Sequence, residues 1–270
     1  MTMLEVTGLH KTFNRNTPVE HKALQGIDLS LEQGEFVCII GSNGAGKSTL
    51  LNSIAGEYYV DGGKIVLDGE DITWKREHKR AHDISRVFQD PMRGTAPHLT
   101  VAENIALAYS RSQRKPLAFA TSRKRKEIIA QRIDALGLDV GLESKLDTQV
   151  GQLSGGQRQA IALLMATIGE PKLLLLDEHT AALDPATATQ VLDLTDRIVR
   201  GQNLATLMVT HSIASALSCG DRTIMLDGGK IALDISGSER ASMTPADLME
   251  LYRNAMGHEL DNDELVFATD

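Results

Sequence analysis

Apolar positions along this chain fall into two rhythms, and the switch between them outlines its organisation. From Met3 to Gln89 the spacing is strand-like. "MLEVTGLHKTF" and "LQGIDLSLEQGEFVCIIG" mix alternation with short apolar runs, punctuated at Gly26 and Gly34. "FVCII" stops at Gly41, and "KSTLLNSIAG" predicts a helix that Gly56 can cap. "GGKIVLDGEDIT" predicts a hairpin turning at Gly69, and "ISRVFQ" a short strand that brings the chain to Gln89.

Between Asp90 and Gly169 the period changes. "LTVAENIALAY", "RKRKEIIAQRIDALGL" and "GGQRQAIALLMATI" carry helical spacing, and strand signals nearly vanish. Strand language then resumes in "KLLLLDEH" and "LATLMVTH". The helix "PATATQVLDLTDRIVR" separates them, with Pro185 in its first turn. Uniformly apolar strands alternating with helices predict a parallel sheet covered on both faces. "RTIMLDGGKIALDISG" predicts a hairpin through Gly228 and Gly229. "TPADLMELYRNA" predicts a last helix with Thr244 as N-cap, Pro245 at N1 and Asp247 at N3. The stretch "HELDNDELVFATD" is acidic and expected to fray.

With 270 residues, 42% hydrophobic and 24% charged, the chain has ordinary globular composition. Its net charge of -8 disfavours a general nucleic-acid binder. Cys38 and Cys219 lack metal or redox spacing and are expected to be reduced core residues. The first residues do not pattern as a signal peptide, and no apolar run is long enough to span a membrane.

"GSNGAGKST" matches G-x-x-x-x-G-K-[ST] between a buried strand and a helix, the context a phosphate loop requires. Its residues are Gly41, Ser42, Asn43, Gly44, Ala45, Gly46, Lys47, Ser48 and Thr49. Gly44 and Gly46 let backbone amides converge on phosphate oxygens. Lys47 reaches the β- and γ-phosphates, and the Ser48 hydroxyl coordinates Mg²⁺. Asp177 and Glu178 emerge where the leucine strand ends, the edge at which open α/β sheets bind ligands. Asp177 suits the Mg²⁺ water shell, and Glu178 suits the water that attacks the γ-phosphate. Gln89, neutral and able both to donate and accept, is placed to follow the γ-phosphate and metal while reporting to the helical insertion. His211 ends a strand whose tip is expected beside that of Asp177, within reach of the γ-phosphate. His179 is expected to make only a loop contact. Ser154 and the Gly155 and Gly156 amides open a helix and form a second anion site without a lysine.

These residues, in this order with "LSGGQ" (Leu153–Gln157) and "ALD" (Ala182–Asp184), resemble the ATPase subunits of ATP-binding cassette (ABC) transporters. The resemblance runs from about Leu4 into the 230s. It implies an α/β fold: a P-loop NTPase (RecA-like) core, an N-terminal antiparallel β subdomain and an inserted α-helical subdomain. The matching division is one domain over 4–240, with 1–89 and 170–240 as the β subdomain and core. Residues 90–169 would then be the helical subdomain, and 241–270 a C-terminal helix and acidic tail.

The resemblance further implies that Phe13 stacks on adenine and that Gln89 is a lid glutamine at the contact with a membrane partner. It makes Asp177, Glu178 and His211 the metal-positioning acid, the catalytic glutamate and the switch histidine. Ser154, Gly155, Gly156 and Gln157 would face ATP held by a second subunit, and Asp184 would couple the two sites. One departure is His179, where many relatives carry proline. The implied assembly is a homodimer, or a pair of ATPase subunits, on the cytoplasmic face of the bacterial inner membrane. It would power a separate permease served by an extracytoplasmic solute-binding protein. Import of a hydrophobic or aromatic amino acid is the leading expectation, ahead of a lipid or lipoprotein exporter. A non-transport cassette ATPase acting on ribosomes or DNA ranks below both, supported only by basic residues around Arg123–Lys126.

Overall fold

The computed structural model describes residues 1–113 and 143–256. The helix expected over 123–138, its basic run and the acidic stretch 258–270 lie outside them.

In chain order, β1 (Thr2–Phe13), β2 (His21–Glu32) and β3 (Phe36–Gly41) lead into α1 (Lys47–Ala55). The next elements are β4 (Gly62–Leu67), β5 (Glu70–Asp71), α2 (Glu77–Arg80) and β6 (Ile84–Val87). Helices α3 (Val101–Gln113) and α4 (Gly155–Thr167) come before β7 (Leu173–Asp177), α5 (Pro185–Gln202) and β8 (Ala205–Val209). The last elements are α6 (Ile213–Ser218), β9 (Arg222–Asp227), β10 (Lys230–Ser236), α7 (Gly237–Ala241) and α8 (Pro245–Met256).

Two sheets result. One is antiparallel with order β2-β1-β4-β5. The other has order β10-β9-β3-β8-β7-β6 and is parallel except for its edge strand β10. The apolar strands are buried on both faces for the reason their sequence implies: Val37 and Ile39 of β3 join one core, Cys38 and Ile40 the other. The first core is shared with α1 and the antiparallel sheet, the second with α4, α5 and α8. Both cysteines are buried and unoxidised, and the Cys38 thiol points at the Cys219 carbonyl.

Local signals set the element ends. Gly56 closes α1 in a left-handed conformation, its amide reaching the Asn52 and Ser53 carbonyls. Thr244 and Asp247 bond reciprocally at the start of α8, as their spacing predicts. The buried side chain of Arg80 fills a role the sequence did not announce. Its guanidinium donates to the Ser53 and Ile54 carbonyls at the foot of α1 and to the Thr73 and Lys75 carbonyls beyond β5. β6 ends at Val87, so Gln89 lies exposed in a bend two residues past the strand rather than at its tip.

Candidate active site

The parallel register brings the predicted chemistry to one edge. Asp177 pairs with Val209, so the ends of β7 and β8 lie side by side, and β3 runs next to β8 on its other flank. The phosphate loop, Glu178 and His211 therefore leave neighbouring strands at their carboxyl ends.

Gly46 is the N-cap of α1 at φ +103, and a Cβ there would sit 2.4 Å from the Ala23 carbonyl oxygen. Only glycine closes this loop against β2. Lys47 is 5% exposed, and its Nζ donates to the Gly41 and Ser42 carbonyls at 2.6 and 2.9 Å. Burial pushes its pKa down, against the opposing pull of Glu178 and Asp177. The loop thus keeps its ammonium folded against its own backbone. Ser48, one residue on, is exposed in the first turn.

Glu178 adopts a left-handed backbone, φ +50, which a residue with a Cβ enters at some cost. Its amide is anchored on the Val209 carbonyl, and His211 Nε2 lies 2.6 Å from its Oε1. That hydrogen bond is the main cause holding the Glu178 carboxyl below the usual glutamate range, outweighing burial. Asp177 takes a different partner. Arg86 Nη2 donates to its Oδ2 at 2.6 Å while Nη1 reaches Glu57 Oε2 at 2.9 Å.

The signature segment is a closed capping box. Ser154 Oγ accepts from the Gln157 amide, and Gln157 Oε1 accepts from the Ser154 amide and from Lys145 Nζ. Gly156 has a packing duty besides its amide: a Cβ would come within 2.3 Å of the Thr187 methyl on α5. Asp184 is exposed and caps α5 by accepting from the Thr187 amide. Hydrogen bonding from the Thr187 side chain, and then from its amide, lowers the Asp184 pKa. Phe13 is half-buried at the end of β1, edge-on to Tyr58 with Lys11 Nζ 5.2 Å from its ring centre.

His179 departs from expectation. It is not a loop contact but a core residue, 2% exposed, with Nε2 3.1 Å from Thr195 Oγ1 on α5. Thr195 Oγ1 spends its own proton on the Val191 carbonyl, so His179 Nε2 is the donor. Burial pushes its pKa down to about 4. Sequence reasoning also missed two links. Gln159, buried in α4, donates to the Phe88 carbonyl beside Gln89, and Arg86 holds Asp177. Neither follows a spacing rule, since each joins distant segments.

A groove of about 770 Å³ opens between the β6–α2 side and α3–α4, lined among others by Arg86, Phe88, Arg93, Asn104 and Met165. No residue of Gly41–Thr49, and neither Glu178 nor His211, lines it. It is separate from the phosphate loop.

Residues 24–181 match the family described as ABC transporter. The chain belongs to the ABC transporter family. It is an ATP-hydrolysing cassette with the family's α/β fold. It is 44% identical over 254 residues to a tyrosine transport ATP-binding protein of Clostridioides difficile, covering 94% of this chain and all of that protein. It is 37% identical to the spermidine/putrescine import ATP-binding protein PotA of Haemophilus influenzae, over 88% of this chain but only 59% of that longer protein. Among solved structures, the ADP conformation of the cassette MJ1267 superimposes with a TM-score of 0.76 at 27% identity, over 93% of this chain and 98% of that one. A dimeric post-hydrolysis state of the cassette MJ0796 bound to ADP and Pi gives 0.73 at 27%, over 87% and 98%. Among the described residues, no helix is long and apolar enough to cross a membrane.

Proposed function

We propose that this cassette powers a separate permease for the import of an aromatic or other hydrophobic amino acid, with tyrosine the leading candidate. The convergence of the phosphate loop, Glu178 and His211 on adjacent strand ends carries the ATPase part of this reading. The full-length similarity to the tyrosine transport protein carries the solute.

Lys47 leaves its own loop carbonyls to meet the β- and γ-phosphates, joined by the amides of Gly44 and Gly46. The exposed Ser48 hydroxyl, the Asp177 carboxylate and the Gln89 amide are oxygen donors of the kind Mg²⁺ takes. No cluster of three or more His, Cys, Asp or Glu among the described residues offers a rival protein-only site. Ser48, Asp177 and Gln89 would hold the ion, which would supply positive charge to offset that of the phosphates. Glu178, ionised and steered by His211, orients the attacking water. Phe13 stacks on adenine through a ring face.

Ser154, Gly155, Gly156 and Gln157 supply the second wall of a partner subunit's site, and Asp184 couples the two sites. ATP favours the closed dimer because it contacts both chains, and hydrolysis removes that difference. The groove beside Phe88 receives the permease, and Gln89 with Gln159 relays its position to α4. An extracytoplasmic binding protein delivers the solute, and the cassette works at the cytoplasmic face of the membrane.

Affinity capture of the tagged chain from its own membranes is expected to bring down one integral membrane subunit. Deleting the gene is expected to abolish uptake of labelled tyrosine. Undiminished uptake would reject the solute, and capture of ribosomes in place of a membrane subunit would reject transport altogether.

A further inference from the structure

Arg86 stands where two parts of the molecule meet. Its guanidinium bridges Asp177 and Glu57, its side chain is 12% exposed, and Nε is buried without a hydrogen-bond partner among the described residues. On its other side the guanidinium carbon lies 4.6 Å from the Phe88 ring centre, a ring that also carries Arg93 at 4.8 Å. Arg86, Phe88 and Arg93 all line the groove. A permanent cation thus sits on the carboxylate assigned to the metal and, with its aromatic neighbour, also lines the groove.

We propose that Arg86 is a positioning residue that competes with the divalent cation for Asp177. The resting chain then binds Mg²⁺ weakly and gains metal affinity when Arg86 lets go. This inference rests on the metal role of Asp177 proposed above. The electrostatics set its direction. A cation at hydrogen-bond distance from a half-buried carboxylate satisfies one of its oxygens and repels a second cation arriving at the other. The unpartnered Nε–H gives Arg86 a reason to move, since an acceptor brought by a groove occupant would satisfy a donor that the resting arrangement leaves unpaired. The Phe88 ring, with the guanidinium groups of Arg86 and Arg93 against it, makes the same path mechanical.

The test titrates Mn²⁺, a paramagnetic stand-in for Mg²⁺, into the full chain with AMP-PNP, reading free Mn²⁺ by electron paramagnetic resonance. Arg86→Gln is expected to tighten Mn²⁺ binding by about five- to tenfold, leaving metal-free AMP-PNP affinity unchanged. Arg86→Lys, which keeps the cation, is expected to stay near the parent value. In an Asp177→Asn background, Arg86→Gln is expected to lose its effect. Unchanged or weaker Mn²⁺ binding by folded Arg86→Gln would overturn the proposal. So would a full gain that persists without the Asp177 carboxylate, or an Arg86→Lys chain as tight as Arg86→Gln. If Asp177→Asn alone leaves Mn²⁺ affinity intact, the metal role of Asp177 falls first and takes the inference with it; that arm identifies which reading failed. A measurement on the parent chain needs no substitution at Arg86. Its guanidinium ¹⁵N signals are expected to shift when Mg²⁺ joins AMP-PNP and to stay put in EDTA, and signals indifferent to Mg²⁺ would reject the competition.

Discussion

His211 Nε2 donates to Glu178 Oε1 across 2.6 Å, tying the loop after β8 to the residue that follows β7. The carboxylate is held ionised and aimed before any nucleotide arrives. Glu178→Gln keeps an oxygen to accept that hydrogen bond and loses only the charge. It is expected to retain ATP binding, hydrolyse about 10² to 10⁴ times more slowly, and accumulate as an ATP-bound dimer. Phosphate release and size-exclusion chromatography check both halves. Turnover at the parent rate would remove Glu178 from the chemistry.

His179 makes stability depend on acid. Its ordinary value is 6.5 and burial pushes it down to about 4 in the fold. Between those values the unfolded chain holds the proton and the folded chain does not. Stability is therefore full above 6.5 and is lost as pH falls toward 4, by roughly 3 kcal/mol for this group. Urea titrations at pH 7 and pH 5 measure the slope. His179→Gln places an amide nitrogen near Nε2 for Thr195 and is expected to flatten it. An equal slope in parent and variant would assign the acid sensitivity elsewhere.

Gly156 and Thr187 set the distance between α4 and α5. Gly156→Ala places a methyl 2.3 Å from the Thr187 methyl and is expected to cost about 1 to 3 kcal/mol of folding stability. Thr187→Ser deletes the opposing methyl and should restore most of it in the double variant. A Gly156→Ala chain as stable as the parent would show that the helices separate freely.

Asp184 caps α5 and, on the proposed reading, couples two active sites, and substitution can separate the two. Asp184→Ala loses the helix cap and is expected to lose about 1 kcal/mol in denaturation. Asp184→Asn keeps an acceptor for the Thr187 amide, so stability should hold while cooperativity of hydrolysis with ATP concentration declines. Undiminished cooperativity in Asp184→Asn would confine the residue to capping.

What was legible in the sequence is whatever has a local cause. Phosphate loop, turns and caps each need particular residues at fixed offsets. The neighbouring tips of β7 and β8 followed from the apolar strands that end at Asp177 and before His211. What was not legible depends on parallel register and helix packing. Arg86 meets Asp177 only because β6 lies beside β7, and Gln159 reaches the Phe88 carbonyl from 71 residues further along the chain. Gly156 reads as an anion-binding glycine, yet its lack of a side chain also admits Thr187. His179 follows an exposed-looking "DE" in sequence, and only the position of α5 over it explains its burial.

Arg80 lies buried beneath the carboxyl end of α1, while the amino end opens from the proposed phosphate loop at Gly46. The helix is electrically terminated at its foot by a permanent cation and, on the proposed reading, at its head by the anion of bound nucleotide. When spent nucleotide departs, one termination goes and the other stays. On the proposed reading, the contact that closes the foot of α1 owes nothing to nucleotide, so the winding of this helix is independent of whether its loop holds phosphate.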